Sequence, residues 1–332
     1  MALRARLTAW FERRWYGGQR PNVVLRALAA LFARVAAARR RDYLSGKRLA
    51  ERAGVPVIVV GNLAVGGAGK TPLTVALVEA LRRDGFRPGV ISRGYGRQGS
   101  RPRRVCADDH PADAGDEPLL IARRTGAPVA VAAQRIEAAR LLVDSGEVDV
   151  LVADDGLQHY ALARDIEILV IDARRRLGNG LLLPAGPLRE SPARAATCDF
   201  TVVNGGEPGP GEVGMRLVLQ HAVALNDARL RPLDAFRGQR VHAVAGIADP
   251  ERFFSALRAA GIDPVAHPFP DHHPFRAEDL AFADALPVLM TEKDAVKCLG
   301  IAPANAWAVP VSADLPAAFT DAVTARLRAL SA

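Results

Sequence analysis

Cysteine is scarce: Cys106, Cys198 and Cys298 are the three in a chain of 332 residues. They stand far apart with no CxxC or CxxH spacing, and an odd number builds no disulfide framework. That excludes a zinc ribbon and a disulfide-stapled secreted scaffold, and leaves reduced thiols in a cytosolic protein. No window of about 20 residues is free of charge, which argues against a clean transmembrane span. Residues 1–9 are too short and too charged for a cleavable signal peptide. Acids are nearly missing from the start of the chain: residues 1–52 hold thirteen Lys and Arg against Glu12, Asp42 and Glu51. The other 280 residues hold 31 basic and 33 acidic side chains, so the net charge of +8 belongs to an N-terminal arm. A near-neutral body excludes a nucleic-acid-binding role, and a basic arm points to an anionic surface. No internal repeat, low-complexity segment or obligatory protein partner is evident.

Aromatic residues amount to only 5% of the chain, yet Trp10, Phe11, Trp15 and Tyr16 cluster among Arg13, Arg14 and Arg20. Residues 23–38, "VVLRALAALFARVAAA", place Leu25, Leu28, Leu31, Phe32 and Val35 at helical spacing, with Arg39, Arg40 and Arg41 behind them. This pattern suits an amphipathic helix lying in a membrane interface, apolar face down and arginines on phosphate headgroups. The alternative is a helix packed on the body with a solvated basic face. The arm is taken as residues 1–50.

Beyond it, apolar strands alternate with helical patterns. Strands are expected at 55–60, 88–92, 128–132, 148–153, 166–171 and 199–203, and helices at 71–83, 116–124 and 134–145. That alternation predicts a parallel sheet covered on both faces, in a first α/β unit over residues 51–207. The Pro/Gly-rich 183–192 reads as a loop near the site. Residues 208–238 read as a linker and bridging ribbon. A second, smaller α/β unit follows over 239–332, with "VHAVAGI", "PVLMT" and "AWAVPV" as strands, a helix over 250–260, and a last helix that could pack on either unit.

The stretch "VIVVGNLAVGGAGKTPL", residues 57–73, is strand, glycine loop, then helix. In a P-loop the backbone amides cradle phosphate oxygens, the lysine reaches the β- and γ-phosphates, and the following hydroxyl ligates Mg²⁺. Gly66, Gly67, Ala68 and Gly69 supply the loop, Lys70 the lysine and Thr71 the hydroxyl. The usual G-x-x-x-x-G-K-[ST] spacing wants glycine where Ala64 stands. A P-loop requires a carboxylate from a neighbouring strand, and "VDVLVADDG" offers Asp154 and Asp155 at a strand end, unless they only form a turn. In "GDEP", residues 115–118, Asp116 either caps a helix or takes a proton from a substrate hydroxyl. "FPDHHPF", residues 269–275, lacks enough ligands for zinc, and suits an acid–base histidine facing a cleft. An N-K-x-D guanine-reading motif is missing, since "TEKD" has its lysine one position late. Val65 occupies the extra-lysine slot of partitioning ATPases. A membrane-associated P-loop nucleotide switch or hydrolase remains the alternative to a kinase.

"VGNLAVGGAGKTP", "SRGYGR", "GDEP", "ADDGLQH", "LLPAGPLRE", "FPDHHPF" and "TEKDAVK" occur in this order behind a basic helix. In that series the chain resembles the tetraacyldisaccharide 4′-kinase family of lipid A biosynthesis. One departure is Leu157, where the family more often has phenylalanine. The resemblance implies MgATP-dependent phosphorylation of the 4′-hydroxyl of a tetraacylated disaccharide 1-phosphate at the cytoplasmic face of the bacterial inner membrane, by a peripheral or monotopic protein. It implies Asp116 as base with His272 as partner, the latter chosen over His273 because it directly follows Asp271. Thr71, Asp154, Asp155 and Glu117 become the Mg²⁺ set, and Arg189 a stabiliser of phosphate charge. Tyr95, Gln158 and His159 become substrate-lining residues.

Overall fold

The computed structural model describes residues 10–331, so the reading of residues 1–9 as no signal peptide lies outside the described residues. Among the described residues, strands form two sheets. The larger has the order β15-β8-β7-β6-β1-β5-β2-β4-β3. Its centre is β1 (Val57–Gly61), flanked by β5 (Val150–Asp154) and β6 (Ile166–Asp172), both parallel to it. Further out lie β2 (Pro88–Ser92), β4 (Val129–Val131) and the antiparallel edge β3 (Arg103–Val105) on one side. On the other lie β7 (Phe200–Asn204), β8 (Glu212–Val218) and the antiparallel β15 (Ser312–Asp314).

The apolar run of β1 is continuous because both faces of the sheet are covered. Ile58 and Val60 join one core, packed by Leu73, Leu77 and Leu81 of α2 (Lys70–Arg83) and Leu119 and Ile121 of α4 (Asp116–Thr125). Val57 and Val59 join the other, under Ile136, Ala139 and Leu142 of α5 (Arg135–Val143). Between them in sequence, α3 (Pro111–Ala114) is a single turn ahead of α4.

The smaller sheet has the order β10-β9-β14-β13-β11-β12. It comprises β9 (His221–Ala224), β10 (Leu230–Pro232), β11 (Arg240–Ala245), β12 (Asp263–Pro268), β13 (Val288–Thr291) and β14 (Ala306–Val309). Its helices are α6 (Pro250–Ala259) and α7 (Glu292–Cys298). Residues 208–238 contribute strands to both sheets, and the last helix takes the first of its two expected placements. β9 and β10, inside the expected linker, belong to the second sheet. β15 and α8 (Ala317–Ser331) return to the first, where Phe319, Val323 and Leu327 enter the same core as Leu73. The helical arm contains residues 10–15 and α1 (Val23–Leu44), within the expected bounds of 1–50. Among the described residues no helix is long and apolar enough to cross a membrane.

Candidate active site

β1, β5 and β6 end side by side, and their carboxyl ends open on a cleft of 1130 Å³ between the two sheets. Ligands in open α/β sheets bind at such strand ends. The loop after β1 is pinned at both shoulders. Asn62 Nδ2 donates to Gly66 O at 3.2 Å, and Asn204 Nδ2 donates to Ala68 O at 3.0 Å. Gly69 closes the loop at φ +95°, where a Cβ would lie 2.6 Å from Asn204 Nδ2, so both the turn and the buttress require glycine. From there α2 runs for 14 residues with no side-chain cap, its first amides and positive dipole end at the cleft.

Lys70 Nζ donates to Asn62 Oδ1 at 3.2 Å and stands 3.7 Å from Asp155 Oδ1. Arg189 reaches the same pair: Nη2 donates to Asn62 Oδ1 at 3.1 Å and Nη1 meets Asp155 Oδ1 at 3.2 Å. Gln158 is the third member, accepting from Arg189 Nη1 at 3.1 Å and donating to the buried Glu190 Oε2 at 3.2 Å. Asp154 is buried and accepts from Thr74 Oγ1 at 3.2 Å. Its carboxyl is pushed up to about 6 by burial, against the pull of Lys70. Burial works on Asp155 in the same direction, but Lys70 and Arg189 hold its carboxyl below the usual range.

The opposite wall comes from α4 and the second unit. Gly115, at φ +90°, precedes α4, and a Cβ there would fall 3.1 Å from both Gly94 Cα and Tyr95 O. "GDEP" and "SRGYGR" are thus packed back to back. The helix cap is Gly115, not Asp116, which corrects the capping alternative. The Asp116 side chain is buried and shares a 3.0 Å hydrogen bond from Oδ2 to His272 Nδ1. Burial favours its neutral form, yet His272, Lys297 and Lys293 hold the carboxyl below the usual range. His272 is raised by its bond to Asp116. His273 turns away to Asp279 Oδ2 at 2.9 Å.

Lys70, Thr71, Asp154, Asp155, Glu117, Arg189, Gln158, His159, Tyr95 and His272 all line the one cleft, as do residues 66–69. Asp116 adjoins the lining: its side chain keeps 11% exposure and bonds the cleft-facing His272. Tyr95 is 65% exposed, its ring 5.2 Å from that of His272. Burial, with Arg135 beside it, drives the His159 imidazole down to about 4. Glu117 gives Oε1 to Lys293 Nζ at 2.7 Å. Sequence reasoning missed Asn62, Asn204, Arg135, Glu190, Lys293 and Lys297 as site residues. For the two lysines a signal existed in "TEKDAVK": a four-residue spacing places both on one helical face.

The family described as LpxK, tetraacyldisaccharide-1-P 4′-kinase, matches residues 21–328. The tetraacyldisaccharide 4′-kinase of Stenotrophomonas maltophilia is 54% identical over 323 residues, covering 94% of this chain and 95% of that protein. Its namesake from Xanthomonas euvesicatoria pv. vesicatoria is 52% identical over 330 residues, covering 96% and 95%. Among solved structures, the "apo" form of LpxK from Aquifex aeolicus in complex with ATP superposes with a TM-score of 0.78 at 28% identity. The superposition covers 91% of this chain and 98% of that one. The chain belongs to the tetraacyldisaccharide-1-P 4′-kinase family.

Proposed function

We propose that the cleft transfers the terminal phosphoryl group of ATP to the 4′-hydroxyl of a tetraacyldisaccharide 1-phosphate, with nucleotide machinery on one wall and hydroxyl machinery on the other. The observation that carries this reading is the juxtaposition in one cleft of a cationic cradle, Lys70 with Arg189, and the His272 ring backed by Asp116. Phosphoryl transfer asks for little beyond positioning, charge neutralisation and a group to take the hydroxyl proton. ATP as donor is supported by the ATP complex of the similar LpxK structure.

Residues 66–69 and the start of α2 receive the phosphates through backbone N–H groups, and Lys70 leaves Asp155 for the transferring group. Arg189, held by Asn62 and Gln158, stands beside it. Asp116 is ionised at neutral pH and accepts the hydroxyl proton, oriented by His272. A carboxylate of low proton affinity serves here because the alcohol acidifies as its oxygen bonds to phosphorus. The donor set fits Mg²⁺: Thr71, Asp154, Asp155 and Glu117 offer only hard oxygens in one cleft, and the buried Asp154 carboxyl gains most from a cation. Among the described residues no three His, Cys, Asp or Glu come together as a metal cage, so the ion would take its remaining ligands from water and the phosphates. When bound, Mg²⁺ neutralises charge on the phosphates. Tyr95, Gln158 and His159 line the space left for the sugar.

The membrane side of the reading rests on α1. Its inner face meets the body through Ala29, Tyr43 stacked 6.1 Å from Tyr160, and Arg40 on Thr197 at 3.2 Å. Val24, Leu28, Leu31, Phe32 and Val35 point outward, exposed. Arg39 and Tyr43 reach the cleft. An apolar outer face suits an anionic membrane at the cytoplasmic side of the inner membrane, where a lipid substrate is presented to the cleft. Purified protein given ATP, Mg²⁺ and detergent-dispersed disaccharide 1-phosphate should add phosphate at the 4′ position. ATP hydrolysis with no phosphate gained there would overturn the reading in favour of a nucleotide hydrolase.

A further inference from the structure

We infer that Lys293 is a positioning residue for the proposed reaction: its ammonium fixes the His272 imidazole as the tautomer that carries its proton on Nδ1, toward Asp116. This rests on the reading of Asp116 and His272 as the hydroxyl-activating pair. A lysine ammonium has three donors and no acceptor. Lys293 Nζ meets Glu117 Oε1 at 2.7 Å, Asp271 Oδ1 at 3.1 Å and His272 Nε2 at 3.4 Å. As a donor-only cation, Lys293 opposes a proton on Nε2, and it also holds Asp271, whose Oδ2 lies 3.8 Å from the same nitrogen. The ring proton therefore sits on Nδ1, which faces the Asp116 carboxylate at 3.0 Å. The two partners settle the tautomer between them.

His272 has weak local support of its own. It lies in the long connection between β12 and β13 at φ +61°, a left-handed conformation that side chains disfavour. Its ring is held from outside the segment by Asp116, Lys293 and the Tyr95 ring. Lys293, by contrast, stands on firm ground. It belongs to the first turn of α7, where Thr291 Oγ1 accepts from Asp294 N at 3.1 Å and Asp294 Oδ2 accepts from Gly246 N at 2.7 Å. One turn on, Lys297 Nζ lies 3.9 Å from Asp116 Oδ2. A single helical face addresses both members of the pair.

The full chain, labelled with ¹⁵N, reports the tautomer directly: His272 Nε2 should resonate as a bare nitrogen and Nδ1 as a protonated one. With the lipid substrate and MgATP, K293M should lose about 10- to 100-fold in kcat, the cost of misplacing a reacting group, while KM for both substrates moves far less. In an H272A background the same substitution should cost little more, because a residue acting through His272 has nothing left to position. A protonated Nε2 in the unaltered chain, or an undiminished K293M loss in the H272A background, overturns the inference. Unchanged turnover in H272A alone would instead sink the pair on which it rests, leaving the tautomer to decide this one. Should K293M fail to fold, the spectrum of the unaltered chain decides by itself.

Discussion

At the scale of single residues, the amide of Asn62 holds more of the site than any motif letter suggests. Its oxygen takes both Lys70 Nζ and Arg189 Nη2, and its nitrogen holds Gly66 O. Asn62→Ala strips three polar groups of a partner and frees both cations to swing. We expect a stability loss of about 1–3 kcal/mol by urea titration, from groups left unsatisfied. We also expect kcat to fall about tenfold or more, since preorganised charge is lost. Unchanged kcat would show that Lys70 and Arg189 need no anchor. His159 gives a pH signature. Its folded value of about 4 lies below the ordinary histidine value, so the folded state binds fewer protons than the unfolded chain between the two. Its contribution is complete above about pH 6.5 and is lost as pH falls toward 4. His159→Gln should melt with a flatter acid limb than the parent, and parallel limbs would refute the assignment. The places of Lys70, Thr71, Asp154 and Asp155 on the cleft wall were legible because each sits in a local strand-end or loop pattern set by neighbours in sequence. Asn204 and Lys293 were not, because Ala68 and Glu117, which give them meaning, are far away in the chain.

Among the elements, strands and helices of the first unit were legible to within a residue or two where glycine or proline stops them. Asp116–Thr125 ends on a left-handed Gly126, and Pro88–Ser92 opens on its proline. α1 continues through Arg39, Arg40 and Arg41 to Leu44, because arginine favours helix and the first residues able to end it are Ser45 and Gly46. β12 reads "DPVAHP", a poor strand by composition, but it is the edge of its sheet, where proline costs no ladder bond. For α1 the sequence pattern did not say which face looks outward. Leu31 and Val35 are 59% and 61% exposed, so Leu31→Glu with Val35→Glu should leave the melting temperature unchanged. If that face enters lipid, each change removes about 1.5–3 kcal/mol of burial, and flotation with anionic liposomes should be lost together with activity on vesicle-borne substrate. Intact flotation would return α1 to a helix with a merely solvated outer face.

The whole molecule is organised by two crossings of the chain, between β8 and β9 and again between β14 and β15. No composition signal marks them, because each needs only a pair of residues and the returning α8 looks like any amphipathic helix. Leu219 at the first crossing and Val311 at the second both line the cleft, so the crossings sit at its back. Its front is held by ion pairs between units. Arg252 meets Asp172 at 3.0 Å, and Arg124 of α4 meets Glu292 of α7 at 3.0 Å while donating to Ser312 at 2.9 Å. The side chains of Arg124 and Glu292 are each 19% exposed, so this pair is largely removed from water. Burial already raises the Glu292 carboxyl, with Arg124 opposing it. Removing only the cation leaves a desolvated charge, which should cost about 1–3 kcal/mol, less than a fully buried pair because solvent still screens it. Arg124→Ala should therefore be more destabilising in urea than Arg124→Ala with Glu292→Gln, in which the stranded charge is neutralised. Both variants weaken the clasp between units, so both should raise KM for ATP with kcat less affected. If the double substitution is no more stable than the single, Glu292 is not stranded and the pair is a surface contact. If KM for ATP stays at the parent value in both, the two units need no clasp at this edge to enclose the nucleotide.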